Sequence, residues 1–346
     1  MDEVAWRKAS DRRIPVSRLR NNHRGKPYNF CVQNEIDNDS DFSPSKKISH
    51  IMIYIPCLKV MTSEELFRLS CFKIMFLLGL VDLCAITVGS IINGFLLIEG
   101  AVYCSHPSLI YPSGSMALFG WCSACMICLI LVINRILDIL HPSMVKTYFK
   151  GYRTYLILSF PIIYGMYFVF FTPPVTFYSP FQSWFFDPFI NNETDPLEYT
   201  NMPHTINNFT IVFVTCFLYL FLCIALYLKA KKASTSTSHR SHKSIFIQST
   251  IMCMINLIAS IIYVLMQFIP VPGWLIIVAQ MTWQGGHGAP AIVYITLNRT
   301  IRSGILQLLQ VKNSASSSHI TPASKQTNSR LTNTSYTGET TDEKEY

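Results

Sequence analysis

Apolar and polar residues follow one another along this chain in long blocks. Six apolar runs, residues 74–98, 115–133, 154–171, 209–228, 245–269 and 274–297, are each 18 to 25 residues long. A helix needs about 20 residues to cross a hydrocarbon layer of ~30 Å. In hydrocarbon every backbone N–H and C=O must be paired within its own segment, so the runs predict membrane-spanning helices. A β-barrel would show segments of about 10 residues with alternating polarity, and the chain has none. A seventh apolar run, residues 48–60, has only 13 residues, with His50 and Pro56 inside it. As a helix it rises ~20 Å, about 10 Å short of the hydrocarbon thickness.

The loops predict orientation. Lys59, Arg68 and Lys73 precede the first long run, and Arg135, Lys146, Lys150 and Arg153 lie between the second and third. Lys229, Lys231, Lys232, Arg240 and Lys243 separate the fourth from the fifth, and Arg299, Arg302 and Lys312 follow the last. The intervening loops, residues 99–114, 172–208 and 270–273, contain no Lys or Arg. Positive loops face the cytoplasm, which places the C-terminus inside and the long aromatic loop 172–208 outside. That loop carries an Asn192-Glu-Thr glycosylation sequon. A second sequon, at Asn208, sits too close to the membrane. Lys46 and Lys47 at one end of the short run and Lys59 at the other leave its direction undecided.

Composition narrows the class. The 346 residues are 50% hydrophobic and 14% charged, with a mean hydropathy of +0.30. A soluble domain carries about 25% charged residues, so this is an integral membrane protein whose partner in space is lipid. The net charge of +8 belongs to the loops of one side, so it does not imply nucleic acid. Residues 1–45 are polar and contain no apolar core of a signal peptide. The polar ends, residues 1–47 and 313–346, are expected to be disordered. Between the last run and the tail, residues 303–312 include an apolar stretch suited to a helix lying in the interface.

Candidate chemistry is sparse. Cys122, Cys125 and Cys128 share one helix face, a spacing open to a soft metal. No Cys or His pair nearby completes a shell, so they are expected to be small packing residues beside Ser123 and Ala124. No metal or other cofactor is expected. Polar residues within the runs are costly in lipid and face the bundle interior. Asp82 is the lone acid among them, accompanied by Asn93, Asn134, Gln248 and Asn256, and by Gln267, Gln280, Gln284 and His287. Such a set suits a hydrogen-bonded switch or a small cation site, with structural pairing between helices as the alternative. The chain has no phosphate loop, no nucleophile elbow and no paired acids of an intramembrane protease, so no catalytic residue is assigned.

Several strings are more specific. Residues 76–82 (FLLGLVD), 93–104 (NGFLLIEGAVYC) and 184–188 (WFFDP) occur in order with 199–208 (YTNMPHTINN), 283–288 (WQGGHG) and 294–302 (YITLNRTIR). From about Tyr54 to Arg302 the chain resembles the nematode serpentine receptors of class T, chemosensory G-protein-coupled receptors. The resemblance implies an all-α, seven-transmembrane receptor bundle over residues 48–302 with an outward N-terminus. Its implied partners are membrane lipid, a small-molecule ligand and a heterotrimeric G protein, and its implied location is the plasma membrane of sensory neurons. Residues 54–58 (YIPCL) match the inner end of the family's first helix, so this bundle is expected to have a truncated first helix and six full spans.

Transferred residue by residue, the resemblance implies a ligand pocket in the outer half. It is expected near Asn93, Glu99, Tyr103, Trp121 and Trp184, and near Phe186, His204, Gln280 and Gln284, and suits a small, neutral, weakly polar compound. The implied inner switch and G-protein contact use Asp82, Asn134, Arg135, Tyr294, Asn298 and Arg299. Where receptors of this general type have an acid before the Arg, this chain has Asn134, which offers only a neutral hydrogen bond. Pro290 and Tyr294 are four residues apart, where the general motif spaces them by three. Many receptors also bond a Cys at the position of Cys104 to one in the long outer loop. Residues 172–208 contain no Cys, so a Cys31–Cys104 bond is expected if the N-terminus is outside. Two alternatives stand beside the receptor. One is an incomplete or nonfunctional member with a defective first helix, since residues 1–47 hold ten Lys and Arg against seven Asp and Glu. The other is a multi-span channel or transporter, against which the chain shows no internal repeat.

Overall fold

Each of the six long apolar runs is a helix in the computed structural model, which describes residues 44–187, 199–232, 236–268 and 272–317. In chain order the long helices are α1 (Pro44–Met61), α2 (Ser70–Ile98), α3 (Pro107–Leu140) and α4 (Tyr152–Phe171). They continue as α5 (Met202–Lys232), α6 (Ser236–Phe268), α7 (Gly273–Leu297) and α8 (Arg299–Ser317). α3 opens with Pro107, whose missing N–H costs nothing in a first turn. α2, α3, α4 and the Met202–Ala225 part of α5 are long and apolar enough to cross a membrane by length and composition. Among its described residues α6 carries the apolar stretch Thr250–Met266. α7 is 25 residues long, but Gln280, Gln284 and His287 make it more polar. The chain through Ile305 forms one compact unit and the chain from Leu306 another; α8, which contains the expected interfacial stretch, begins in the first.

The short run forms more helix than its apolar residues suggest. α1 has 18 residues, starting at Pro44 rather than at residue 48, a rise of ~27 Å. Among its described side chains the apolar stretch runs Met52–Met61. Tyr54, Cys57 and Met61 are completely buried. Their spacing of three and four residues puts them on one face, against α2 and α7. Gly79 makes that approach possible, because a Cβ there would lie 2.8 Å from Leu58 Cδ2 and 3.3 Å from the Tyr54 ring.

α3 is the central helix, packed on α2, α4 and α5. Cys122 and Cys125 belong to one buried cluster and Cys128 to another. Ser123 Oγ donates to the Pro161 carbonyl of α4 at 3.1 Å. On α4 and α5, Phe160, Ile163, Phe213 and Phe217 point outward and are well exposed, as faces that meet lipid must be.

The long aromatic loop contains a hairpin. β1 (Thr176–Tyr178) pairs antiparallel with β2 (Ser183–Phe185), Phe177 opposite Trp184. Gln182 closes the turn at φ 51°. The hairpin is tied to the loop after α2 by a bridge between Val102 and Tyr178 and by Ser179 N–H donating to the Ala101 carbonyl. Val175, just before β1, crosses α3 so closely that a Cβ on Gly114 would overlap its carbonyl oxygen. Cys31, Asn192, and the polar ends through residue 43 and from residue 318 lie outside the described residues.

Candidate functional site

A polar cluster is buried where α1, α2 and α7 meet. Asp82, 1% exposed, accepts from both sides. Tyr54 Oη donates to its Oδ2 at 2.6 Å, and His287 Nδ1 donates to its Oδ1 at 2.7 Å. Tyr54 Oη also stands 3.0 Å from the His287 carbonyl. A buried carboxylate needs a hydrogen bond on each oxygen in place of those that water made. Tyr54 and His287 supply them from the two neighbouring helices. Cys57 Sγ adds a weak contact to the Ala291 carbonyl at 3.9 Å. The His287 ring meets Trp283 edge-on at 5.4 Å and Trp121 at 6.3 Å between centroids.

Those two tryptophans also line a cavity of about 450 Å³ beneath the hairpin, within the ~300–1,000 Å³ usual for small-molecule sites. β2 and the residues after it contribute Trp184, Phe185, Phe186 and Asp187. The start of α5 contributes Asn201, His204 and Thr205, and α6 contributes Tyr263 and Met266. The walls are held by hydrogen bonds. Trp184 Nε1 donates to Asn93 Oδ1 at 3.0 Å, fixing the hairpin to α2. Trp121 Nε1 donates to Asn208 Oδ1 at 2.8 Å, and Tyr164 Oη to Asn207 Oδ1 at 3.0 Å. Ser183 Oγ reaches Gln280 Oε1 at 3.5 Å.

α2 departs from α-geometry beside the cavity. Thr87–Ile92 is a π-helical turn, a form that opens the backbone ladder and recurs at functional positions. The Gly89 carbonyl in this turn accepts from Gln284 Nε2 at 2.7 Å.

Of the residues expected at the pocket, Trp121, Trp184, Phe186, His204 and Gln280 line the cavity. Four do not. Asn93 stands behind Trp184, and Gln284 is engaged with Gly89. Glu99 is exposed just past the end of α2. Tyr103 is half-buried in the loop after α2; burial, with the neighbouring Tyr111 and Cys104, pushes its phenol up. Sequence reasoning missed Tyr263 and Ser183, which carry no motif, and Asn207 and Tyr54, which stood in the family strings without an assigned role. The signal for Tyr54 was a phenol inside a short apolar run, where its hydroxyl must find a partner.

The residues expected at the inner switch are spread over several contacts. Asn134 Nδ2 donates to Ser70 Oγ at 3.1 Å, whereas Arg135 Nη2 points to Met75 Sδ at 3.9 Å. Neighbours on a helix diverge by about 100°, so each meets α2 separately. The Tyr294 hydroxyl is buried with no hydrogen-bond partner among the described residues. Asn298 Oδ1 accepts from Ile301 N–H at 3.2 Å and so caps α8, while its Nδ2 faces Gln248 Oε1 at 3.5 Å. Arg299 and Cys104 are exposed.

The bundle of apolar helices, pinned by a buried Asp–His pair and holding an aromatic cavity under a loop hairpin, is that of a multi-pass membrane protein with a cavity of small-molecule size. The family model described as "Serpentine type 7TM GPCR chemoreceptor Srt" matches residues 48–318, and the chain belongs to that family. It is similar to serpentine receptor class T-55 of Caenorhabditis elegans, with 29% identity over 256 residues, covering 73% of this chain and 69% of the relative. The resemblance read from the strings therefore holds. The chain is a multi-pass membrane protein of a receptor family, not of an enzyme family.

Proposed function

We propose that the protein is a G-protein-coupled chemosensory receptor that transduces an external small-molecule signal. The hairpin end faces outside, with Asn192 available for glycosylation there. The basic loops, α8 and the C-terminus face the cytoplasm, where a heterotrimeric G protein binds at the plasma membrane of a sensory neuron. One relationship carries the reading. Trp121 and Trp283 face the cavity on one side and the His287 ring on the other. A ligand that moves either indole changes what His287 packs against, and His287 is bonded to the acid that joins three helices. The bonding of Tyr54 to Asp82 favours a working first helix over a defective one.

The test is a cell line expressing the chain with a promiscuous G protein, challenged with a panel of odorants and water-soluble metabolites. Saturable responses are expected, and Trp283→Ala should abolish them while surface expression is retained. A surface-expressed protein with neither basal nor evoked G-protein activation, or one that passes ion current without G protein, would overturn the reading.

A further inference from the structure

The unmet hydrogen bonds of the cavity say more than its volume. Gln280 and His204 are 3% and 6% exposed, and both line it. Gln280 Nε2 and His204 Nδ1 have no hydrogen-bond partner among the described residues. Other polar groups around them are engaged: Asn201 Nδ2 donates to the Pro173 carbonyl, and Asn201 Oδ1 accepts from His204 N–H. An amide N–H left bare in an apolar wall costs free energy that a ligand oxygen recovers. His204 Nδ1 donates or accepts according to its tautomer, so it suits a second polar group of either kind.

Charge narrows the class further. Among the described residues no Lys or Arg lines the cavity, so a ligand anion would find no counter-charge there. Asp187 lies in its wall and has an interaction of its own. The remaining surface is largely aromatic, with Trp121, Tyr263 and Trp283 on the side toward His287. Rings accept other rings edge-on or offset.

Resting on the reading of this cavity as the ligand site, we propose that it takes a neutral aromatic carbonyl compound. The ring lies among Trp121, Tyr263 and Trp283. The carbonyl oxygen accepts from Gln280 Nε2, and a second polar group meets His204. A pure hydrocarbon of the same shape leaves both nitrogens bare, and binding sites reject a ligand that strands their buried polar groups.

Three of the five tryptophans in the chain line the cavity, so quenching of their fluorescence reports occupancy. The purified full-length receptor in nanodiscs is titrated with matched sets of aromatic ketones, alkylbenzenes, phenols, benzoates and benzylammonium salts. Ketones should bind tightest, and Gln280→Leu should weaken them about tenfold while leaving alkylbenzenes within about twofold. Gln280→Met serves the same purpose if the leucine variant does not fold. Alkylbenzenes equal to ketones, preference for phenols or either ion, or ketone affinity indifferent to the substitution would each overturn the proposal while leaving the cavity a ligand site. Failure of all five sets to quench the folded receptor would instead remove the ligand-site reading, and the proposal with it.

Discussion

His287 Nδ1 and Asp82 Oδ1 stand 2.7 Å apart between α7 and α2, with both side chains almost wholly excluded from solvent. Removing one member of such a pair is more damaging than replacing both, because the survivor keeps its desolvation cost without its partner. Asp82→Ala strands the His287 N–H and leaves the Tyr54 hydroxyl only the His287 carbonyl. The expected loss is about 3 kcal/mol, read as a lower unfolding temperature of purified receptor. Asp82→Ala combined with His287→Phe should lose less than the sum of the single changes. Strict additivity would mean that the pair does not couple the helices.

Tyr54 makes two separable contributions. Tyr54→Phe keeps the ring against Gly79 and removes only the hydroxyl, a loss of about 1 kcal/mol for a hydrogen bond between membrane helices. Tyr54→Ala also empties the space beside Gly79, which raises the cost to about 2–4 kcal/mol. Cys57 lies one turn along the same face and is fully buried. Maleimide labelling of Cys57 should therefore rise in the alanine variant and stay near the native rate in the phenylalanine variant. Equal labelling of both variants would show that α1 docks without Tyr54.

The hairpin depends on Asn93 from a distance. Asn93→Ala removes the acceptor of Trp184 Nε1 and leaves the cavity lining unchanged in composition. Amide hydrogen exchange over β1 and β2 should quicken by about tenfold, the equivalent of one buried hydrogen bond of ~1.4 kcal/mol. Gly114→Ala should act on the same segment more severely, since the methyl meets the Val175 carbonyl oxygen and not a flexible side chain. Unchanged exchange in both variants would show that the hairpin is held by its bonds to Ala101 and Val102 without help from Asn93 or Gly114.

Asn298 joins α7 to α8. Its side-chain oxygen satisfies the Ile301 N–H in the first turn of α8, a capping role worth about 1 kcal/mol. Asn298→Ala should fray the start of α8, visible as faster exchange at residues 299–302, whereas Asn298→Ser should retain most of the protection. Equal exchange in the two variants would mean that the cap contributes nothing.

Much of this architecture was legible along the chain. Apolar runs of spanning length predict helices because hydrocarbon leaves the backbone no other donor or acceptor. All six long runs are helical, and the family strings pointed to the serpentine class that the family match shows. Helix ends were less legible. α1 begins at Pro44, before its apolar run, and α3 extends well past residues 115–133 on both sides, because helical hydrogen bonding continues beyond the hydrocarbon until a breaker stops it. The hairpin was not legible at all. Its strands are three residues each, too short for a period to show, and their stability comes from Asn93, Ala101 and Val102, all distant in sequence.

The same division runs through the candidate site. Hydropathy alone marked Asp82 and His287 as intramembrane polar residues, since each must be justified against lipid. It did not show that they meet, nor that Tyr54 completes them from the short first helix. Partners 28 and 205 residues from Asp82 are brought together by helix packing. Likewise, residue type nominated Asn93 and Gln280 equally for the pocket. Packing put Gln280 into the cavity wall with a bare N–H and set Asn93 behind Trp184. The sequence by itself determined which residues lipid would not tolerate unpaired. Only the tertiary structure decided which of them found partners within the bundle and which were left facing the cavity.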